Sequence, residues 1–134
     1  MKISTEAKYK VYGDLKFRGK CPSEDSVHVA FIAWVRHKYP DKAALLLHPK
    51  NEGKRTPQQV SMDRKMGSIT KGASDIIIVG GKTFVCELKR QDCTKSHWQP
   101  GQEDFLNSSH NDGAFACVCF GLDAAKEAFL EWVN

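Results

Sequence analysis

Two carboxylates and a lysine in the middle of this sequence carry its clearest chemical signal. Asp75 precedes the apolar run Ile76-Ile77-Ile78-Val79, and Glu87-Leu88-Lys89 closes the run that begins at Phe84. Alternate side chains of a strand share a face, so Val85, Glu87 and Lys89 point the same way. Charges beside a buried run are costly unless something compensates them, and a divalent cation with a phosphate would do so. Gly80-Gly81-Lys82 separates the two runs. If these three residues form the loop, Val79 faces Thr83 and Asp75 lies opposite Glu87, with Cβ atoms ~4.5–5.5 Å apart. A two-residue Gly-Gly turn would instead pair Asp75 with Cys86 and send the two acids to opposite faces, unless a bulge intervened. On one face, both carboxylates reach one ion. Such oxygen ligands favour Mg2+, with Mn2+ as a substitute, over zinc. Lys89 beside them would orient a water or hold a phosphate, which is the equipment for phosphodiester hydrolysis.

The elements that must position these residues follow from pattern. Residues 8–18 read as a small hairpin turning at Gly13-Asp14. Ser23-Glu24-Asp25-Ser26 opens a helix whose apolar set is Val27, Ala30, Phe31, Trp34 and Val35, and which ends at Tyr39-Pro40. Glu24 lies on or next to the inward stripe, either as an acid with a task or as a first-turn Glu favoured by the helix dipole. Ala43–His48 reads as a strand, and Pro57–Met66 as a helix capped by Thr56. After a loop over 67–73 come the strands Ile76–Val79 and Thr83–Leu88. A helix over Pro100–Ser108, a strand over Ala114–Phe120 and a last helix over Ala124–Val133, capped by Asp123, complete the chain. The expected class is α/β with a mixed central sheet flanked by helices.

Length and composition agree with one domain. The chain has 134 residues, 41% hydrophobic and 27% charged, with a net charge of +4, which excludes a disordered or membrane-spanning class. Residues 1–20 hold six basic and two acidic side chains and so carry the whole excess; they read as a solvated arm, a polyanion contact or a dimer arm. The N-terminus lacks the apolar stretch of a secretory signal. The five cysteines show no zinc or dithiol spacing, as expected of buried reduced thiols in a cytosolic protein. Lys50, Lys54, Arg55, Arg64, Lys65 and Lys71 form a basic run that either tracks phosphates or covers a solvated helix face. Lys95, His97 and Trp98 form a polar-aromatic loop after Lys89. Trp98 stacks on a base, covers a subunit interface or folds against the core. The five histidines read as scattered.

From Glu24 to the C-terminus the chain resembles the VRR-NUC branch of the PD-(D/E)xK nuclease superfamily. The resemblance runs through four segments and one further residue. Leu47-His48-Pro49-Lys50-Asn51-Glu52-Gly53-Lys54-Arg55 is similar to the family's Asn-Glu-Gly-x-Arg. Met66-Gly67 follows, and Gly72-Ala73-Ser74-Asp75 looks like Gly-x-Pro-Asp with Ser74 in place of proline. Glu87-Leu88-Lys89 and Gln102 complete the string. The resemblance implies a PD-(D/E)xK restriction-endonuclease-like fold over residues 23–134, with 1–20 as an added arm. It makes Asp75, Glu87 and the Leu88 carbonyl metal ligands, Lys89 the motif lysine and Glu24 an additional acid near the metal. Gln102 would stand beside the phosphate or water. Arg55, Lys54, Lys71, Lys95 and Trp98 are the candidate DNA contacts.

The expectation is a Mg2+-dependent DNA endonuclease, homodimeric, acting on branched DNA such as Holliday junctions, in the cytoplasm of a bacterium or phage-infected cell. The alternatives are a monomeric flap or nicking nuclease and a non-catalytic nucleic-acid-binding module.

Overall fold

Five strands form one mixed sheet in a computed structural model that describes residues 1–49, 55–68 and 70–134. In chain order the strands are β1 (Lys10–Tyr12), β2 (Leu46–Leu47), β3 (Ile76–Ile78), β4 (Phe84–Lys89) and β5 (Phe115–Phe120). The spatial order is β1-β5-β4-β3-β2. β4 and β1 each pair in parallel with β5, whereas β3 is antiparallel to both β4 and β2. The helices are α1 (Glu24–Lys38), α2 (Pro40–Ala43), α3 (Pro57–Met66), α4 (Gln102–Asn111) and α5 (Leu122–Val133).

Alternation along the strands builds a core on each face. Phe84, Cys86 and Leu88 of β4 join Phe115, Cys117 and Cys119 of β5 under α1 and α5. Phe129 of α5 is fully buried there against Phe31, Trp34, Tyr39, Phe84 and Trp132. Val85, Ala116, Val118 and Phe120 face the other way, toward Leu106 of α4 and Tyr9. Glu87 and Lys89 share that second face by the period of two. They are the buried charges of the sheet, at 1% and 2% exposure.

Several expected elements form in place for the local reasons that predicted them. Ser23 caps α1 by accepting from the Ser26 N–H, and Thr56 and Gln59 make a reciprocal capping box on α3. Others differ. Residues 8–18 are not a hairpin. Only Lys10–Tyr12 is extended, and it pairs with β5, because Tyr9 and Tyr12 bury more surface against the two core faces than a free hairpin would. Gly13, at φ +114°, turns the chain across the end of β5, where a Cβ would sit 3.0 Å from Phe120. Asp14 then accepts from the Lys16 N–H, closing a local turn rather than a second strand. Pro40 both ends α1 and starts α2, so the strand expected over Ala43–His48 shrinks to Leu46–Leu47. The helix expected from Pro100 begins at Gln102, after the left-handed Gly101. Asp123 is a first-turn acid of α5 rather than its cap, which is Gly121 with no side-chain bond.

Candidate active site

The β3–β4 hairpin adopts the three-residue-loop register. Ile76 pairs with Cys86, Ile77 with Val85 and Ile78 with Phe84, so one further step sets Asp75 opposite Glu87. Ile76 and Ile78 belong to the α1/α5 core, which leaves Asp75 on the face of Glu87. The Asp75 carboxylate is held by the end of the next strand: its Oδ2 accepts from the Leu88 N–H at 2.9 Å.

Gln102 joins the acid to the lysine. Its Nε2 donates to Glu87 Oε1 at 2.9 Å, while its Oε1 accepts from Lys89 Nζ at 3.0 Å and from the Gln99 N–H at 2.8 Å. Two donors and one acceptor converge on the amide, so its orientation is fixed by its surroundings. Lys89 Nζ also donates to the His97 carbonyl at 2.9 Å and lies 3.9 Å from Glu87 Oε1. The ammonium is thus anchored at two points, with one N–H left to offer. Gln102 reaches this position because the loop before Asp75 passes directly against the start of α4. At Gly72 (φ +75°) a Cβ would sit 2.1 Å from the Gly101 carbonyl carbon and 2.6 Å from the Gln102 nitrogen. Only glycine permits that approach.

The other predicted residues fall in two groups. Glu24, at the start of α1, accepts from Ser96 Oγ at 2.8 Å; Ser96 in turn accepts from the Arg90 N–H. Glu24, Asp75, Glu87 and Lys89 line one cleft of about 1040 Å³, together with Leu88 and Lys95. Lys95 is exposed at its edge and donates to the Gly19 carbonyl. Lys71 is exposed and lays its stem over Gly101. Trp98 is half-buried behind the lysine, with its ring 5.6 Å from Lys89 Nζ and edge-on to Tyr9, and its indole N–H donates to the Lys2 carbonyl. Its placement is therefore that of a loop residue folded against the core. Arg55 pairs with Asp63 at 2.7 Å and borders a separate depression with Arg64 and Lys65. Lys50, Asn51, Glu52 and Lys54 lie outside the described residues.

The electrostatics of the cleft fit a cation. Glu87 Oε2 is buried with no hydrogen-bond partner among the described residues. Burial, and then Asp75 by its charge and by sharing the proton, push the Glu87 carboxyl up to about 10; Lys89 pulls the other way. Two facing carboxylates, one with an orphaned oxygen, need either a proton between them or a positive ion. Asp75 and Glu87 are the side chains that would hold such an ion, which would supply charge neutralisation and a more acidic water.

Sequence reading missed two residues here. His28 stands one turn after Glu24 on α1 and so shares its face. Its ring lies 4.3 Å from that of His48, and His48 Nδ1 is 2.6 Å from the Asp75 carbonyl oxygen. Burial and His48 lower the pKa of His28, while Asp75 and Asp25 oppose the shift. The Glu24-to-His28 spacing was the available signal.

No family model and no curated protein matches the chain. Its structure is similar to a solved protein named "VRR_NUC domain protein", with a TM-score of 0.67 and 18% identity, covering 87% of this chain and 91% of the other. The chain shares that protein's fold. The mixed sheet with flanking helices is the α/β architecture expected from the order of the elements. Among the described residues, no helix is long and apolar enough to cross a membrane.

Proposed function

We propose that this chain is a metal-dependent endonuclease that hydrolyses DNA phosphodiesters. The observation that carries the reading is the unpartnered, buried Glu87 Oε2 facing Asp75, beside an ammonium anchored by Gln102 and His97. The name of the structurally similar protein, a VRR_NUC domain protein, points the same way. Asp75, Glu87 and the Leu88 carbonyl hold Mg2+, or Mn2+ in its place, and the ion supplies a water of lowered pKa and neutralises phosphate charge. Lys89 turns its remaining N–H to the attacking water or to a phosphate oxygen. Gln102 keeps Lys89 and Glu87 at a fixed separation as the substrate arrives. Glu24 adds negative charge to the cleft and anchors it to the Arg90–Ser96 segment. Lys71 and Lys95 meet the DNA backbone at the cleft edge, and Trp98 backs Lys89.

The substrate we favour is branched DNA such as a four-way junction. One subunit brings one Asp75/Glu87 centre, whereas resolving a junction takes two cuts of opposite polarity, which a two-fold homodimer provides. Val11 on the edge strand β1 and Leu15 in the turn that follows are exposed and offer apolar surface for that contact. The test is Mg2+-dependent cleavage of linear, flap and four-way-junction DNA, with light scattering on the same sample. Junction cleavage by a dimer, abolished in Glu87→Gln and Lys89→Ala, is the expected result. Flap cleavage by a monomer would overturn the substrate and the assembly and leave the hydrolase. Binding without cleavage of any DNA would overturn the hydrolase.

A further inference from the structure

The histidine pair beside Asp75 has no part in the chemistry above, and its geometry is that of a ligand set. One donor atom from each of His28, His48 and Asp75 lies within 4.8 Å of the other two. The three come from separate parts of the chain, namely α1, the segment after β2 and the entrance to β3. All three line the same cleft as Glu87.

The orientation of His48 strengthens the point. A carbonyl oxygen only accepts, so the 2.6 Å contact with Asp75 requires the proton on His48 Nδ1. Nε2 is then the nitrogen with the free lone pair. A ring N–H given to a backbone carbonyl is the usual way a metal-binding histidine has its tautomer and tilt fixed. Here that carbonyl belongs to Asp75, so the peptide that supplies a carboxylate ligand also sets the imidazole.

We propose that His28, His48 and Asp75 form a second cation position, nitrogen-ligated, that prefers a borderline divalent ion such as Co2+ or Zn2+ and takes Mn2+ more weakly. Imidazole ligands select for such ions over Mg2+, which keeps to oxygen. Asp75 is shared between this position and the oxygen-ligated one at Glu87. The cation position stands on the donor geometry; only a role for it in DNA hydrolysis rests on the function proposed above. One other such cluster lies among the described residues. Cys86, Cys117 and Cys119 also gather three donor atoms, but all three are fully buried in the α1/α5 core.

Mn2+ bound to the full chain, stripped of metal beforehand, is the probe. Electron spin-echo modulation detects imidazole nitrogen directly coupled to Mn2+, whether or not any DNA is cut. The wild-type chain is expected to show that coupling. His28→Gln, which leaves the His48 bond to Asp75 in place, should weaken it, and His28→Gln with His48→Gln should remove it while Mn2+ still binds at Glu87. Glu87→Gln should keep the nitrogen coupling and lose the other ion. Metal-free melting curves check that each variant is folded. Mn2+ bound with an oxygen-only spectrum in the wild type, coupling that survives in the double variant, or no Mn2+ binding at millimolar concentration would each overturn the proposal. Mg2+-dependent cleavage alongside an oxygen-only Mn2+ spectrum would sink this site and leave the hydrolase standing. Nitrogen coupling without cleavage of any DNA would do the reverse.

Discussion

Replacing Glu87 by glutamine should stabilise the cation-free protein, and the gain should grow with pH. In the fold the Glu87 carboxyl holds its proton up to about 10, against an ordinary value of 4.5. Between those values the folded state carries one more proton than the unfolded state at this site. Stability from this group is therefore undiminished below 4.5 and falls by about 1.4 kcal/mol per pH unit above it. At pH 7 the accumulated cost is at most about 3.5 kcal/mol. Glutamine is neutral at every pH in this window, keeps an oxygen to accept from Gln102 and turns an amide N–H toward Asp75 in place of the orphaned oxygen. Urea denaturation in the presence of a chelator, at pH 6 and pH 8, measures the difference. The stability gap between Glu87→Gln and wild type should widen by about 3 kcal/mol over those two units. Excess Mg2+ or Mn2+ should close the gap by stabilising the wild type, with release of the carboxyl proton into the buffer. Parallel pH dependence of the two proteins would show that Glu87 is already ionised without a cation and would refute the reasoning.

Four other outcomes test the rest of the site. Asp75→Asn should abolish cleavage and weaken cation binding, measured by titration calorimetry, while Lys89→Ala should abolish cleavage with the cation still bound; Glu24→Gln should cost less than either. Gln102→Ala leaves Glu87, Lys89 and the Gln99 N–H short of a partner each and should lower stability by about 1–3 kcal/mol, together with turnover, in denaturant melts and single-turnover assays. Gly72→Ala drives a Cβ into the Gly101 backbone at 2.1 Å and should cost about 3 kcal/mol or more, whereas Gly67→Ala, equally left-handed but with nothing within 4 Å, should cost about 1 kcal/mol. Val11→Lys with Leu15→Lys should yield monomers by light scattering that keep the wild-type circular dichroism. Deleting residues 1–20 would not be a clean test of assembly, because it strips β1 and the buried Tyr9 and Tyr12 from the sheet.

What was legible in the sequence was local. The register of Asp75 against Glu87 depends on a loop of three residues, and the ends of α1 and α3 depend on caps within one turn, so both could be read from neighbours. β1 could not, because its partner in the ladder is β5, at the far end of the chain. Pro40 was ambiguous for a different reason: the same ring that stops one helix suits the first position of the next. His28 and His48 looked scattered because the contact between them is made only when α1 packs beside the entrance to β3. Trp98 carried no sign of whether its ring would meet a ligand or the chain itself, and Tyr9 with the Lys2 carbonyl decided it.

The pairing of β1 with β5 also sets a timetable. A ribosome delivers Lys10–Tyr12 first among the strands and Phe115–Phe120 last, and β5 is the strand that joins β1 to the rest of the sheet. The β3–β4 hairpin, with Asp75 and Glu87 on it, has short-range contacts and can close early. Its buried acid then waits for Gln102 of α4 and for β5 to pair alongside β4. Until β5 emerges, β1 is an unpaired segment with two tyrosines to shield, and the sheet has an open edge at β4. Folding is therefore completed only when β5 has left the exit tunnel, and a nascent chain stalled before Phe115 should be protease-sensitive along its whole N-terminal segment.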